Sequence, residues 1–312
     1  MRYVPPKFED LKDMAAIDVA RLTEDEARMI LEHIRWPKGP ACPHCDGQDA
    51  TRINGKSPKV RDGLLQCNGC RGQFTVTVGT VMHRSHITLR QWVQAFHSMC
   101  SHKKGVSALQ LQRNLGLKSY KSAWHLAHRV RFAMREAPLK KALKGTVEVD
   151  ETYIGGKSRG GKRGRGAEKK SVVLALVERD GRMKAQPVRT ISAQELKGAI
   201  RENVGRGARI MTDELPSYRG IGREFSGGHR TVAHGKRQYV RGKDHDLHVN
   251  SAESFFALLK RGVHGTFHHV SKQHLHRYCD EFGFRWDHRK GTDGERTVAA
   301  IRQAEGKRLL YR

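Results

Sequence analysis

The period of the apolar positions divides the chain. From Phe8 to Trp36 it is helical: Ala27, Ile30, Leu31 and Ile34 recur at steps of three and four, Asp18 or Thr23 offers a cap, and Pro37, Gly39 and Pro40 end the run. Short strand-like pieces follow at 64–66 and 74–78. The helical period returns from His83 to Lys141, with Leu89, Trp92, Val93 and Phe96 on one stripe. Within it Ser107 caps a helix that Gly116 closes, and Ser119 caps a second that runs through Trp124, Ala127, Val130 and Phe132.

Beyond Lys144 the period falls to two. Val147 and Val149 share one face of a short strand, Glu148 and Asp150 the other, and Gly155-Gly156 ends it. Two further strands, 171–178 and 183–190, flank the hairpin pair Asp180-Gly181. Ser192 then opens a helix through Leu196 and Ile200, with Glu195 at the capping-box position. Residues 208–213 form a strand that ends in a second carboxylate, Asp213. Helices are expected at 249–262 and 274–289, and glycine- and cation-rich loops at 155–170 and 217–248.

Charge changes the picture. Lys and Arg number 59 against 32 Asp and Glu, a net +27 spread over the whole length. Solubility does not require that excess, and a polyanion partner does, because each neutralised phosphate releases counterions. No apolar run approaches the ~20 residues that span a bilayer, and Met1–Asp10 has no apolar signal core, so a cytoplasmic, nucleoid-associated protein is expected. A chain of 312 residues predicts several domains.

The cysteines specify one of them. Cys42 and Cys45 form one Cys-x-x-Cys turn, Cys67 and Cys70 another, with short strands between and after. Two such turns complete a tetrahedron of thiolates around a single structural zinc, the pattern of a zinc ribbon. The helix–turn–helix sequence after it carries Lys118, Lys121, His125 and Arg129 on or near its second helix, which predicts DNA contacts. The 155–170 loop adds Arg163 and Arg165 for phosphates.

The remaining chemistry is acidic. A strand ending in Asp150, a hairpin, a helix, a strand ending in Asp213, a long loop, and a helix bearing Glu253 follow the order of an RNase H-like core. There, carboxylates converge on two divalent cations, and hard oxygen ligands suit Mg²⁺ or Mn²⁺. On the last helix Asn250, Glu253, Ala257 and Lys260 share one polar face, while Phe255, Phe256, Leu258 and Leu259 point elsewhere.

The paired Cys-x-x-Cys, the run Val149-Asp150-Glu151-Thr152-Tyr153-Ile154-Gly155-Gly156-Lys157 and the run from Asn250 to Gly262 together resemble the bacterial insertion-sequence transposases that join an N-terminal zinc ribbon to a DDE-type, ISXO-like catalytic domain. The resemblance covers about Leu22 to Asp287. It implies an RNase H-like nuclease that cuts at transposon ends and transfers the freed 3′-hydroxyl into target DNA, working as a dimer or higher oligomer on DNA. It makes Asp150 and Asp213 the first two metal ligands. The third position is an acid or an Asn in the family, so Glu253 or Asn250 fills it, and Glu253 is preferred because a carboxylate binds Mg²⁺ better than an amide. Lys260 matches the family's phosphate-contacting Lys. Phe256 stands where a Trp is expected, and the stretch 214–252 between the second and third ligands is rather long.

The expected architecture is multidomain α/β: a helical segment at 1–39, a zinc ribbon at 40–82, a helix-turn-helix domain at 83–144, an RNase H-like mixed-sheet domain at 145–290 and a basic tail at 291–312. Two readings compete with a transposase: a DNA-binding regulator without catalysis, which has no need of the three carboxylates, and an RNase H-like nuclease without strand transfer.

Overall fold

The computed structural model of the chain describes residues 11–53, 61–136, 139, 141–155, 170–232 and 247–310. They form two units. One comprises Met1–Met134 with Lys290–Arg312, the other Arg135–Arg289.

The first unit begins with a 3₁₀ turn, Leu11–Asp13, and helices α1 (Ala16–Arg21) and α2 (Glu24–Arg35). Thr23 is the cap that operates: it accepts from Glu26 N–H, and the Glu26 carboxylate returns the bond to Thr23 N–H. Asp18 lies inside α1. A three-stranded antiparallel sheet follows, β1 (Ala50–Arg52), β2 (Leu65–Cys67) and β3 (Gln73–Phe74), in sequence order. Trp36 packs edge-on against Phe74, 5.8 Å between centroids, and the buried Glu32 carboxylate holds Arg52 at 2.6 Å. Three helices complete the unit's centre: α3 (Leu89–Ser101), α4 (Ala108–Leu115) and α5 (Tyr120–Met134). Ser107 caps α4, and Gly116, in the left-handed region at φ 62°, closes it.

The segment expected as a basic tail instead contains a helix. Asp293–Arg302 opens on a reciprocal Thr292–Glu295 capping box and packs its buried Val298, Ala300 and Ile301 into the first unit, against α3. Gly294 makes this possible at the other contact, since a Cβ there would lie 2.3 Å from the Lys12 carbonyl oxygen. Gly306 N–H then pairs with Gly79 O and Val81 N–H with Ala304 O.

The second unit is a five-stranded sheet built from β4 (Thr146–Ile154), β5 (Ser171–Glu178), β6 (Met183–Val188), β7 (Arg209–Asp213) and β8 (His229–Val232), with helices α6 (Ala193–Asn203), α7 (Asn250–Gly262) and α8 (Leu275–Asp287); the helix at the C-terminal end of the chain is α9. Strand order is β6-β5-β4-β7-β8. The β4–β5–β6 meander is antiparallel and β7 and β8 run parallel to β4, so the sheet is mixed. Asp180 adopts φ 57° at the β5–β6 hairpin, as its turn demands. Val147, Val149, Leu174 and Leu176 pack on one face against Leu196, Ile200 and Tyr218. Val173, Ala175 and Val177 pack on the other against Ala252, Phe255, Leu259 and Phe282. This two-sided burial fixes which edge of each β4 residue meets which helix.

Candidate active site

Strand register brings the first two acids together. β4 and β7 pair in parallel with Thr146 opposite Arg209, Val147 opposite Ile210 and Glu148 opposite Met211. Continuing that step puts Asp150 level with Asp213, the last residue of β7. A ligand oxygen of each lies within 4.8 Å of the other and of a third carboxylate, Glu151. Asp213 Oδ1 accepts from Leu215 N–H at 3.0 Å and Asp150 Oδ1 from Glu151 N–H at 2.8 Å. Burial pushes the Asp150 carboxyl up to about 8, reinforced by the charges of Glu151, Asp213 and Glu253 and opposed by the Glu151 N–H bond. Three negative neighbours around one half-buried acid make a site that a cation neutralises.

Glu253 stands exposed on the first turns of α7, near enough for its charge to act on Asp150, but it is not part of the three-carboxylate group. Asn250, also exposed, opens the same helix, and Lys260 is half-buried in its last turn. The face that carries Asn250, Glu253, Ala257 and Lys260 is the one left open once Ala252, Phe255, Phe256 and Leu259 pack on the sheet.

Two neighbours escaped sequence reasoning. Glu151 points to the opposite side of β4 from its neighbours Asp150 and Thr152, where Tyr218 Oη donates to it at 2.9 Å. Burial, with the Glu151 and Asp150 charges, holds the Tyr218 phenol well above its ordinary range. Glu148 is wholly buried. The alternation along β4 had placed it on the Asp150 face, and an acid on a buried face needs partners; that was the available signal.

The four cysteine sulfurs likewise lie within 4.8 Å of one another. The two turns are built alike. Asp46 and Arg71, each following the second Cys, take φ 59° and 61°, and Asp46 and Arg71 N–H close back on Cys42 and Cys67 O at 2.9 and 3.0 Å. Gly72 keeps the approach clear, since a Cβ there would meet His44 Cδ2 at 2.8 Å and Cys70 Sγ at 3.2 Å. N–H groups of Cys70 and Gly69 help to bring the Cys67 thiol down to about 7. Four converging sulfurs, with His44 Nε2 facing Gln73 O at 3.4 Å, fit a tetrahedral zinc.

Of the residues expected to face DNA, Lys118 and Lys121 are exposed at the start of α5, beside Tyr120 at 52% exposure, and His125 is half-buried. Arg129 is not available. It is 6% exposed, its guanidinium lies 5.1 Å from the Trp92 ring centroid and its Nη2 donates to His83 O, so it belongs to the core. Arg163 and Arg165 fall outside the described residues.

Comparison with known proteins agrees with this layout. Residues 142–287 match the family model of the ISXO2-like transposase domain, and residues 22–73 match that of the transposase zinc-ribbon domain. Both matches are to domains of insertion-sequence transposases. The matched transposase domain contains β4, β7 and α7 entire, and the matched ribbon domain contains all four clustered cysteines. Over 279 residues the chain is 29% identical to a protein of the transposable element ISH50 of Halobacterium salinarum, covering 85% of this chain and 91% of the relative. No helix among the described residues is long and apolar enough to cross a membrane.

Proposed function

We propose that this protein is a transposase that binds the ends of its element, cleaves phosphodiester bonds there with two divalent cations, and joins the freed 3′-hydroxyl to target DNA. The observation that carries the reading is the meeting of Asp150, midway along β4, with Asp213, the last residue of the parallel strand β7, and the charge of Glu253 on α7 acting on Asp150. The strand order, with three antiparallel strands and two more parallel to the first, supports an RNase H-like core. Mg²⁺ or Mn²⁺ held there supplies an activated nucleophile and a stabilised leaving oxygen. Asp150, Asp213 and Glu253 hold the cations, and Lys260 neutralises the phosphate near the scissile bond.

The α4–turn–α5 segment supports a helix–turn–helix that reads the element's ends through Lys118, Lys121 and His125, following a zinc-bound ribbon at Cys42, Cys45, Cys67 and Cys70. The 155–170 loop, with Arg163 and Arg165, adds contacts indifferent to sequence. The expected segments 1–39 and 40–82, and 83–144 as far as Met134, share the first unit with 290–312, and the second unit runs from Arg135 to Arg289. Two ends handled together require at least two copies on DNA.

The test is cleavage of a duplex carrying the element's end in the presence of Mg²⁺. Asp150→Ala and Asp213→Ala each lose several orders of magnitude in rate while DNA binding survives. Glu253→Gln, Asn250→Ala and Glu151→Gln identify the third ligand: the variant that abolishes cutting names it. Cleavage that persists in Asp150→Ala overturns the reading.

A further inference from the structure

Among the described residues six helices start on their own Ser or Thr: Thr23, Thr88, Ser107, Ser119, Ser192 and Thr292. The helix bearing Glu253 does not. It begins after Val249, which has no side chain able to cap, and takes its cap from a neighbouring strand. Glu148 Oε2 accepts from Ser251 N–H at 2.7 Å and Ala252 N–H at 3.2 Å, and Oε1 accepts from Ser251 Oγ at 3.2 Å. Arg179, just beyond β5, donates from Nε to the same Oε1 at 2.7 Å and from Nη2 to His248 O at 2.9 Å. His248 Nδ1 lies 3.2 Å from Oε1 as well. Glu148 is 0% exposed.

A cap alone does not explain a buried carboxylate. Taking one out of water is costly before its partners offset it, whereas a Ser or Thr at 249 would cap the helix by satisfying one of those N–H groups without burying a charge. What the distant carboxylate adds is registry. Glu148 and Asp150 share a face of β4 and stand two residues apart, about 6.6 Å. Ser251 and Glu253 stand two residues apart on α7. The clamp therefore joins strand to helix one step before both catalytic acids, and fixes both where α7 starts and how it is rotated. A slip of one residue would turn Glu253 by about 100° away from Asp150.

We propose that Glu148 is a positioning residue for the cation site: by holding Ser251 and Ala252 it sets Glu253 against Asp150, with Arg179 balancing its charge. This rests on the assignment of Asp150, Asp213 and Glu253 as ligands. Partners behind metal ligands typically govern affinity by 10- to 100-fold.

The experiment titrates Mn²⁺ into the zinc-loaded full-length protein by calorimetry, beside thermal melting and DNA binding. Glu148→Gln keeps the shape and one acceptor but loses its charge and the bond from Arg179. We expect it to melt as a folded protein, to bind DNA within twofold of wild type and to bind Mn²⁺ about tenfold more weakly. Ser251→Ala, which removes the hydroxyl contact and keeps the backbone N–H donors, shifts Mn²⁺ affinity the same way by a smaller factor and carries the test if Glu148→Gln does not fold. In a Glu253→Gln background the further loss caused by either change disappears, because it acts through Glu253. An unchanged Mn²⁺ affinity in a folded variant, or losses that multiply independently of Glu253, overturns the proposal. Unchanged Mn²⁺ binding in Asp150→Ala instead overturns the ligand assignment itself, which separates the two failures.

Discussion

At the scale of single residues, the second unit holds like charges close together at a cost. Asp150, raised from 3.8 to about 8, binds its proton more tightly in the folded protein than in the unfolded chain. Between those two values the native state carries the extra proton, so without divalent cation stability is greatest at the acid side and falls as pH rises through the window. Asp150→Asn abolishes that slope. Its melting temperature relative to wild type should climb from near zero at pH 4 to a maximum above pH 8, measured with no added divalent metal; a difference that stays flat with pH would show that the Asp150 charge is not burdened. Metal reverses the sense, because the proton must leave: Mn²⁺ affinity should rise with pH up to about 8 and then level. Asp150 and Asp213 were legible in the sequence because each is an acid in an apolar strand-like run, although β4 continues past Asp150 to Ile154 and only Asp213 ends its strand. Glu151 was not, because strand alternation assigns it to the opposite face, yet its carboxylate reaches within 4.8 Å of the other two.

At the scale of elements, caps and turns were the readable features. Thr23, Ser107 with Gly116, Ser192 and the Asp180-Gly181 hairpin each declare a backbone geometry locally, and the structure uses each of them. Which basic residues of a helix face water is not declared locally, since an Arg fits a core wherever an aromatic face and a carbonyl await it. That is the case of α5. Its first turn offers Tyr120 and Lys121 to solvent, with Lys118 exposed in the turn before it, whereas Arg129, brought to about 10 by burial, is held by Trp92 and His83. The two ends should therefore separate experimentally. Lys121→Ala should leave melting unchanged and flatten the log–log salt dependence of DNA affinity by about 1. Arg129→Ala should lower stability by about 2 kcal/mol through lost packing and an unpaired carbonyl, without changing that salt slope in protein that remains folded. A reduced slope in Arg129→Ala would return it to the DNA-facing set.

At the scale of the whole molecule, the first unit is assembled from both ends of the chain. The closing residues read as a tail because Lys307, Arg308 and Arg312 dominate them, although the capping box Thr292–Glu295 and the apolar run Val298–Ile301 were already present. Three ties make those residues structural. Arg296 donates to Cys100 O at 3.2 Å, Lys307 Nζ to Ala133 O at 2.6 Å, and Glu305 holds Arg35 at 3.2 Å. Burying Val298, Ala300 and Ile301 contributes on the order of 1 to 3 kcal/mol per large side chain, a sizeable part of the 5–15 kcal/mol that holds a domain together. A chain ending at Arg289 thus removes core rather than tail. Its first unit should lose its melting transition, and because the ribbon shares that unit, zinc should become accessible to a chromogenic chelator at temperatures where the full chain retains it. The second unit, Arg135–Arg289, keeps every strand of its sheet and should melt at an unshifted temperature, with DNA affinity reduced by the loss of the helix–turn–helix. If the shortened chain retains zinc and both transitions, the closing helix is dispensable and the first unit is complete at Met134.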